Sequence, residues 1–340
     1  MSDTPTFFVT NYDTRFGQYK PEDDLLHPEA NAEVAHYSCT ETQYLGFNIP
    51  EASISCVGYM WHHPHLNTVL AGAVAYQGIK LQTIAAELCD IRSYMSDEVL
   101  ANNLHDVKFD SGYHTQVIEP GKQFRIRYDD PMRGNHFDVT LTAIMPPAMW
   151  PTGRHFEQAL KTKGELTLRG ERFEVNGYTV RDRSWGEGRS EQIMPIPVTT
   201  WMTGVFNDNF AFNCNALDHP DLNPVWKPHF DIKPEKTLIG GWIWKDGELN
   251  AITSVRKLVH YDLRTLIPKT VEMTIVDTKE RRFEIHGTIV SAAPFNPWMN
   301  VNTPICLTRW ECNGLTGYGD TQDVQWNDFV QACAKKQVID

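Results

Sequence analysis

The sequence predicts an all-β protein of antiparallel sandwiches or barrels, with a short helix at its C-terminal end. Three observations carry that expectation. Apolar residues recur at every second position along most of the chain, the runs are short, and Gly, Asn, Asp and Pro break them at close intervals. Phe124, Ile126 and Tyr128 alternate with Arg125 and Arg127, and Phe137, Val139, Leu141 and Ala143 continue the habit. Leu166 and Leu168 lead through Arg169-Gly170 to Phe173 and Val175, which reads as a hairpin. Val271, Met273 and Ile275 lead through Asp277-Thr278-Lys279-Glu280 to Phe283 and Ile285, a second hairpin. Strands at this spacing argue against a parallel sheet with crossover helices. Only two stretches read as helical: a weak one around 80–89, and Asp323–Lys336 with Val324, Phe329 and Cys333 as its apolar positions.

Composition bounds the function. The chain has 340 residues, 41% hydrophobic and 22% charged, which is enough for a large core and roughly two domains by length. A net charge of −12 argues against nucleic acid or an anionic membrane as partner. Seven scattered cysteines without a C-x-x-C pair read as reduced thiols of a cytoplasmic protein. The first residues carry neither a basic start nor an apolar stretch, so no secretion signal is expected, and no apolar run approaches a membrane span. A homodimer through edge strands is compatible with this composition. The Pro-containing stretch 191–200 is the expected seam, giving domains 1–195 and 196–340. Arg172-Phe173-Glu174-Val175-Asn176-Gly177 recurs as Arg282-Phe283-Glu284-Ile285-His286-Gly287, a faint echo between the two halves.

The stretch from Tyr178 to Arg189 concentrates the chemistry. In an extended strand Tyr178, Val180 and Asp182 line one side, and Arg181, Arg183 and Trp185 the other. A carboxylate following two apolar residues on one face is expected to be carried inward, where desolvation raises its pKa and makes it a proton donor. The same residues also read as a strand-end cluster of Asp–Arg salt bridges. Glu41, ahead of Tyr44 and Phe47, reads either as an inward carboxylate of the first strand or as a surface charge. His155 and Glu157 share one strand face, as a base with its orienting partner or as a solvated polar row. His229 and Asp231 have the same spacing. Trp242 and Trp244, two apart, share a face and are the better cavity candidates among 10 tryptophans. His62-His63-Pro64-His65 lacks the spacing of a metal site and reads as a His-rich turn. No GxGxxG, P-loop or G-x-S-x-G motif is present, so no cofactor and no metal is expected.

These motifs carry a resemblance. Glu41-Thr42-Gln43-Tyr44-Leu45-Gly46-Phe47, Gly153-Arg154-His155-Phe156-Glu157-Gln158, Arg181-Asp182-Arg183-Ser184-Trp185-Gly186, Gly240-Gly241-Trp242-Ile243-Trp244 and Gly314-Leu315-Thr316-Gly317-Tyr318-Gly319 occur in this order. The order resembles the two-domain, lipocalin-like superfamily of AttH-type proteins and hydroxyneurosporene synthase (carotenoid hydratase), from about Glu33 to Gln322. Arg183 and Gln322 depart from the pattern, standing where His and Glu are expected. The resemblance implies two lipocalin-like barrels of eight to ten strands with a cavity near their interface. It also implies cofactor-independent lyase or isomerase chemistry (hydration, dehydration or cyclisation) on an apolar terpenoid or steroid-like molecule. Asp182, Glu41 and His155 are then the expected acid–base groups, and Trp185, Tyr178, Tyr44, Phe47, Trp242 and Trp244 the expected substrate-binding residues. A non-catalytic carrier of a hydrophobic ligand would use the same cavity.

Overall fold

The structure, a computed structural model, describes residues 16–34, 36–188, 197–223, 230, 232–296 and 299–337; side chains are described as far as residue 335. The expected seam at 191–200 falls mostly outside these residues, as do His229 and Asp231. The described chain forms two compact units. One contains the residues up to Gln77 and those from Ile84 to Gly188; the other contains Gly78–Thr83 and the residues from Pro197 onward.

The first unit is one antiparallel sheet. Its strands are β1 (Cys39–Ile49), β2 (Ile54–His63), β3 (Thr68–Gln77), β4 (Leu88–Ser96), β5 (Asp106–Lys108), β6 (His114–Glu119), β7 (Gln123–Asp130), β8 (Asn135–Ala143), β9 (Ala148–Met149), β10 (His155–Leu168) and β11 (Glu171–Gly188). The spatial order is β4-β3-β2-β1-β11-β10-β8-β7-β6-β5, with β9 on β10. The sheet is an open half-barrel, within the antiparallel barrel-or-sandwich architecture the sequence predicts. β10 and β11 form the predicted hairpin around Arg169-Gly170, both with positive φ (53° and 86°), the backbone of a two-residue type I′ turn. A helix α1 (Pro28–Glu33) precedes β1. Leu45, Phe47, Phe124, Phe137, Leu160 and Val175 belong to the core that the sheet curls around.

The second unit comprises β12 (Thr199–Asn207), β13 (Phe210–Leu217), β14 (Leu238–Lys245), β15 (Glu248–Asp262), β16 (Ile267–Asp277), β17 (Arg282–Pro294), β18 (Val301–Asn302), β19 (Pro304–Cys312), β20 (Leu315–Trp326) and α2 (Asn327–Gln337). β12 pairs with both β13 and β20, so eight strands close into a barrel, with β18 attached to β20. Met202, Phe212, Ile243, Val271, Ile285 and Trp310 fill it.

Two helix expectations change. Residues 80–89 hold only a 3-10 turn at Thr83–Ala85 and then enter β4; Leu81 and Ile84 are exposed, so the apolar positions there are not gathered on a buried helical face. The C-terminal helix starts at Asn327, since Val324 still pairs with Thr199 across β20 and β12; Phe329 and Cys333 are its buried positions, as read from the sequence.

Candidate active site

Register decides which side chains meet. Tyr44 on β1 stands opposite Tyr59 on β2 and Asp182 on β11, and Asp182 stands opposite Glu157 on β10. One rung along, Trp61, Thr42, Ser184 and His155 follow each other across the same four strands. Partners across a ladder share a face, so these eight residues form two adjacent rows. Tyr44, Trp61, Thr42, Ser184 and Glu157 are buried, and the hydroxyls of Thr42 and Ser184 lie 2.8 Å apart. Asp182 and His155 keep 20% and 18% of their side chains exposed.

His155 is clamped. Its Nε2 lies 3.0 Å from Oε1 of Glu157 and 3.8 Å from Oδ2 of Asp182. Trp150 Nε1 donates to the other Glu157 oxygen at 2.9 Å, which fixes the carboxylate. Burial alone would push the His155 pKa down. The negative charges of Glu157, Asp182 and Glu187, with the Glu157 hydrogen bond, outweigh it and hold the imidazole up to about 9. His155 is therefore a cation at neutral pH.

The opposite face of the same strands carries a different chemistry. Gln43, Leu45 and Phe47 share the face of Arg183, Arg181 and Val175, which is the core side of the sheet. Arg183, fully buried, donates from Nη2 to Glu41 at 2.6 Å and from Nη1 to the Thr42 carbonyl at 2.9 Å. Glu41 also accepts from His27 Nδ1 (2.9 Å), the His27 backbone N–H (3.1 Å) and Asn31 Nδ2 (2.8 Å). Burial opposes its ionisation, but the Arg183 charge and the His27 and Asn31 donors lower its pKa to about 2. Arg181 pairs with buried Asp24 and sits over the rings of Phe124 and Phe156, at 3.9 and 4.7 Å from their centroids. Tyr19 and the Gly121 backbone N–H complete the Asp24 shell at 2.7 and 2.6 Å. Trp185 stacks flat on His27, 3.8 Å between centroids. These contacts fasten residues 19–31 across the sheet.

The sequence expectations divide accordingly. Asp182, His155, Tyr44 and Tyr178 share one face, and Asp182 and His155 are brought into contact range. The predicted inward phase is overturned: the Arg181 and Arg183 row faces the core of the half-barrel, and the Asp182 row faces away from it. The reason is that this sheet buries both faces, so apolar Tyr178 and Val180 do not mark the core side. Phe47 leaves the candidate set because it packs on Phe137 in that core, 5.4 Å between centroids. Glu41 lies on the core face with both carboxylate oxygens accepting hydrogen bonds from Arg183, His27 and Asn31, and Trp185 beside it, so neither joins Asp182. Trp242 and Trp244 do share a face, but Ile243 between them points into the second barrel's core, so both face away from that interior. The three imidazoles of the His-rich turn part company: His62 meets Asp97, His63 lies beside Trp61, and His65 bonds the carbonyls of Asn31 and Val34. Among the described residues no three metal-binding side chains converge. Tyr59, Trp61 and Trp150 are not read from the sequence as site residues, since strand pairing places the first two and the hydrogen bond from Nε1 to Glu157 the third.

Solved structures share this fold. An AttH-like protein from Nitrosomonas europaea aligns with a TM-score of 0.58 at 14% identity, covering 89% of this chain and 97% of its own. Kievitone hydratase from Nectria haematococca aligns with a TM-score of 0.53 at 12% identity, covering 89% and 93%. CghA, solved with Sch210972, aligns with a TM-score of 0.50 at 10% identity, covering 85% and 89%. The two-unit β fold expected from the order of motifs is thus the fold these structures share. No curated protein matches the sequence. A family model described as a domain of unknown function matches residues 20–329, and the chain belongs to that family, DUF7064.

Proposed function

We propose that this chain is an acid–base enzyme of the hydratase or lyase kind, acting on an apolar terpenoid or steroid-like substrate. His155 and Asp182 carry the proton transfers, Glu157 positions His155, and Tyr44, Tyr59 and Trp61 line the approach. The observation that carries this reading is the His155 clamp: a partly exposed imidazole between two carboxylates, on a largely buried aromatic face. Structural ion pairs at a surface seldom combine those features, whereas acid–base sites need them. The hydratase among the neighbours supports the reaction class.

The test is an untargeted mass-spectrometric screen of terpenoid and steroid mixtures incubated with wild type, Asp182→Asn and His155→Gln. The reading expects products differing from substrates by one water, formed by wild type and lost in both variants. Equal turnover by folded variants would sink it. Retention of an unaltered apolar ligand by all three proteins would favour the carrier.

A further inference from the structure

The two nitrogens of His155 have different surroundings. Nε2 is directed at Glu157 and Asp182, at 3.0 and 3.8 Å. Nδ1 makes no hydrogen bond to any described residue, yet is not among the buried unpartnered atoms, so it is the nitrogen open to an incoming molecule. Glu157 and Asp182 flank the ring, Glu187 adds a third negative charge, and Trp150 lies 4.9 Å away, ring to ring.

That arrangement bears on acid strength. Protonating an isolated alkene to a carbocation needs a strong acid, and carboxylates around an imidazolium make it a weaker one. A ring that keeps its proton to about pH 9, against the ordinary 6.5, releases it about 300-fold less readily. What such a group does well is stabilise negative charge that develops on an oxygen, as a fixed, positively charged donor.

We infer that His155 offers Nδ1–H to a carbonyl oxygen, and that the substrate is an alkene conjugated to that carbonyl, or its β-hydroxy counterpart, rather than an isolated alkene. The inference rests on the acid–base reading above and narrows its substrate class. In the hydration direction the water oxygen bonds to the β-carbon while Asp182 takes one of its protons. The C=C π pair becomes the new double bond toward the carbonyl carbon, and the carbonyl π pair moves to oxygen, which takes the Nδ1 proton. The enol then collapses: its O–H proton returns to Nδ1 and the α-carbon takes the proton held by Asp182. One water is added and both side chains are restored; dehydration is the reverse.

The probes are 2-naphthol, whose hydroxyl mimics the enol oxygen, and 2-methoxynaphthalene, which has the same rings without the O–H. Binding is followed by naphthyl fluorescence, and His155 by its ring ¹⁵N resonances. Wild type should prefer 2-naphthol by about tenfold or more, the discrimination of one charge-assisted hydrogen bond, with a shift of the Nδ1 resonance on binding. His155→Gln should lose that preference while binding the ether as before, and Glu157→Gln, which keeps the imidazole, should retain part of it. Equal affinity of wild type for the two probes, binding of neither, or a preference untouched in His155→Gln would overturn the inference. If those outcomes coincide with loss of water-transfer turnover in Asp182→Asn, the acid–base reading survives and only the carbonyl assignment falls.

Discussion

Replacing Arg183 by Met tests how the site strand is anchored. The guanidinium is fully buried against Glu41, whose carboxyl is held at about 2 rather than 4.5. That difference corresponds to about 3 kcal/mol of stability at neutral pH. Because the folded-state pKa is the depressed one, this contribution is present above pH 4.5 and disappears as pH falls toward 2. Arg183→Met leaves Glu41 buried with only the His27 and Asn31 donors, and breaking such a pair costs about 3–5 kcal/mol. Urea unfolding at pH 7, followed through tryptophan fluorescence, should register that loss. Glu41→Gln with Arg183→Met removes both charges and should recover most of it. A single-variant cost below about 1 kcal/mol would refute the reasoning, since it would place the pair among exposed ones. An unrecovered double variant would show that side-chain shape, rather than the unpaired charge, set the cost.

Further outcomes follow from the same electrostatics. His155 has a raised pKa, so its contribution is complete below pH 6.5 and is lost as pH rises through about 9; wild type should lose roughly 2–3 kcal/mol across that window, and His155→Gln should show a flat profile there. In the second barrel the Asp323 carboxyl is fully buried beside Thr200 and Tyr261, and burial, opposed by the nearby Lys257 charge, raises its pKa. An acid raised in this way weakens the fold as pH climbs above 3.8, so Asp323→Asn should raise the thermal midpoint at pH 8, by about 1 kcal/mol or more in free energy. Arg181→Met should cost about 3–5 kcal/mol in denaturant titrations, because Asp24 is left buried with only Tyr19 and the Gly121 N–H.

Much of the architecture was legible in the sequence because antiparallel strands write their period directly into it. The Arg169-Gly170 turn, the Val271–Ile285 hairpin and the strand-like run through Asp182 all appear where alternation placed them. The pairing of His155 with Glu157 was legible for the same reason. What alternation leaves open is which face is the core. In a sheet solvated on one side the apolar row answers that question, but β11 buries Val180 and Thr179 alike, so the pattern has no outside. The irregular register between Thr40 and Thr42 further shifts β1 against β11 near Glu41. Tyr59 and Trp61 were invisible for another reason: they join Asp182 only through β1, a relation of three strands rather than of one segment.

The central claim is that His155 is a stabilised cation, and a pH titration of its ring nitrogens by ¹⁵N NMR, assigned with His155→Gln, tests it most directly. The midpoint should lie near 9 in the wild type and fall in Glu157→Gln and Asp182→Asn, each of which removes one flanking charge. A wild-type midpoint at or below the ordinary 6.5, unmoved by either substitution, would contradict the account.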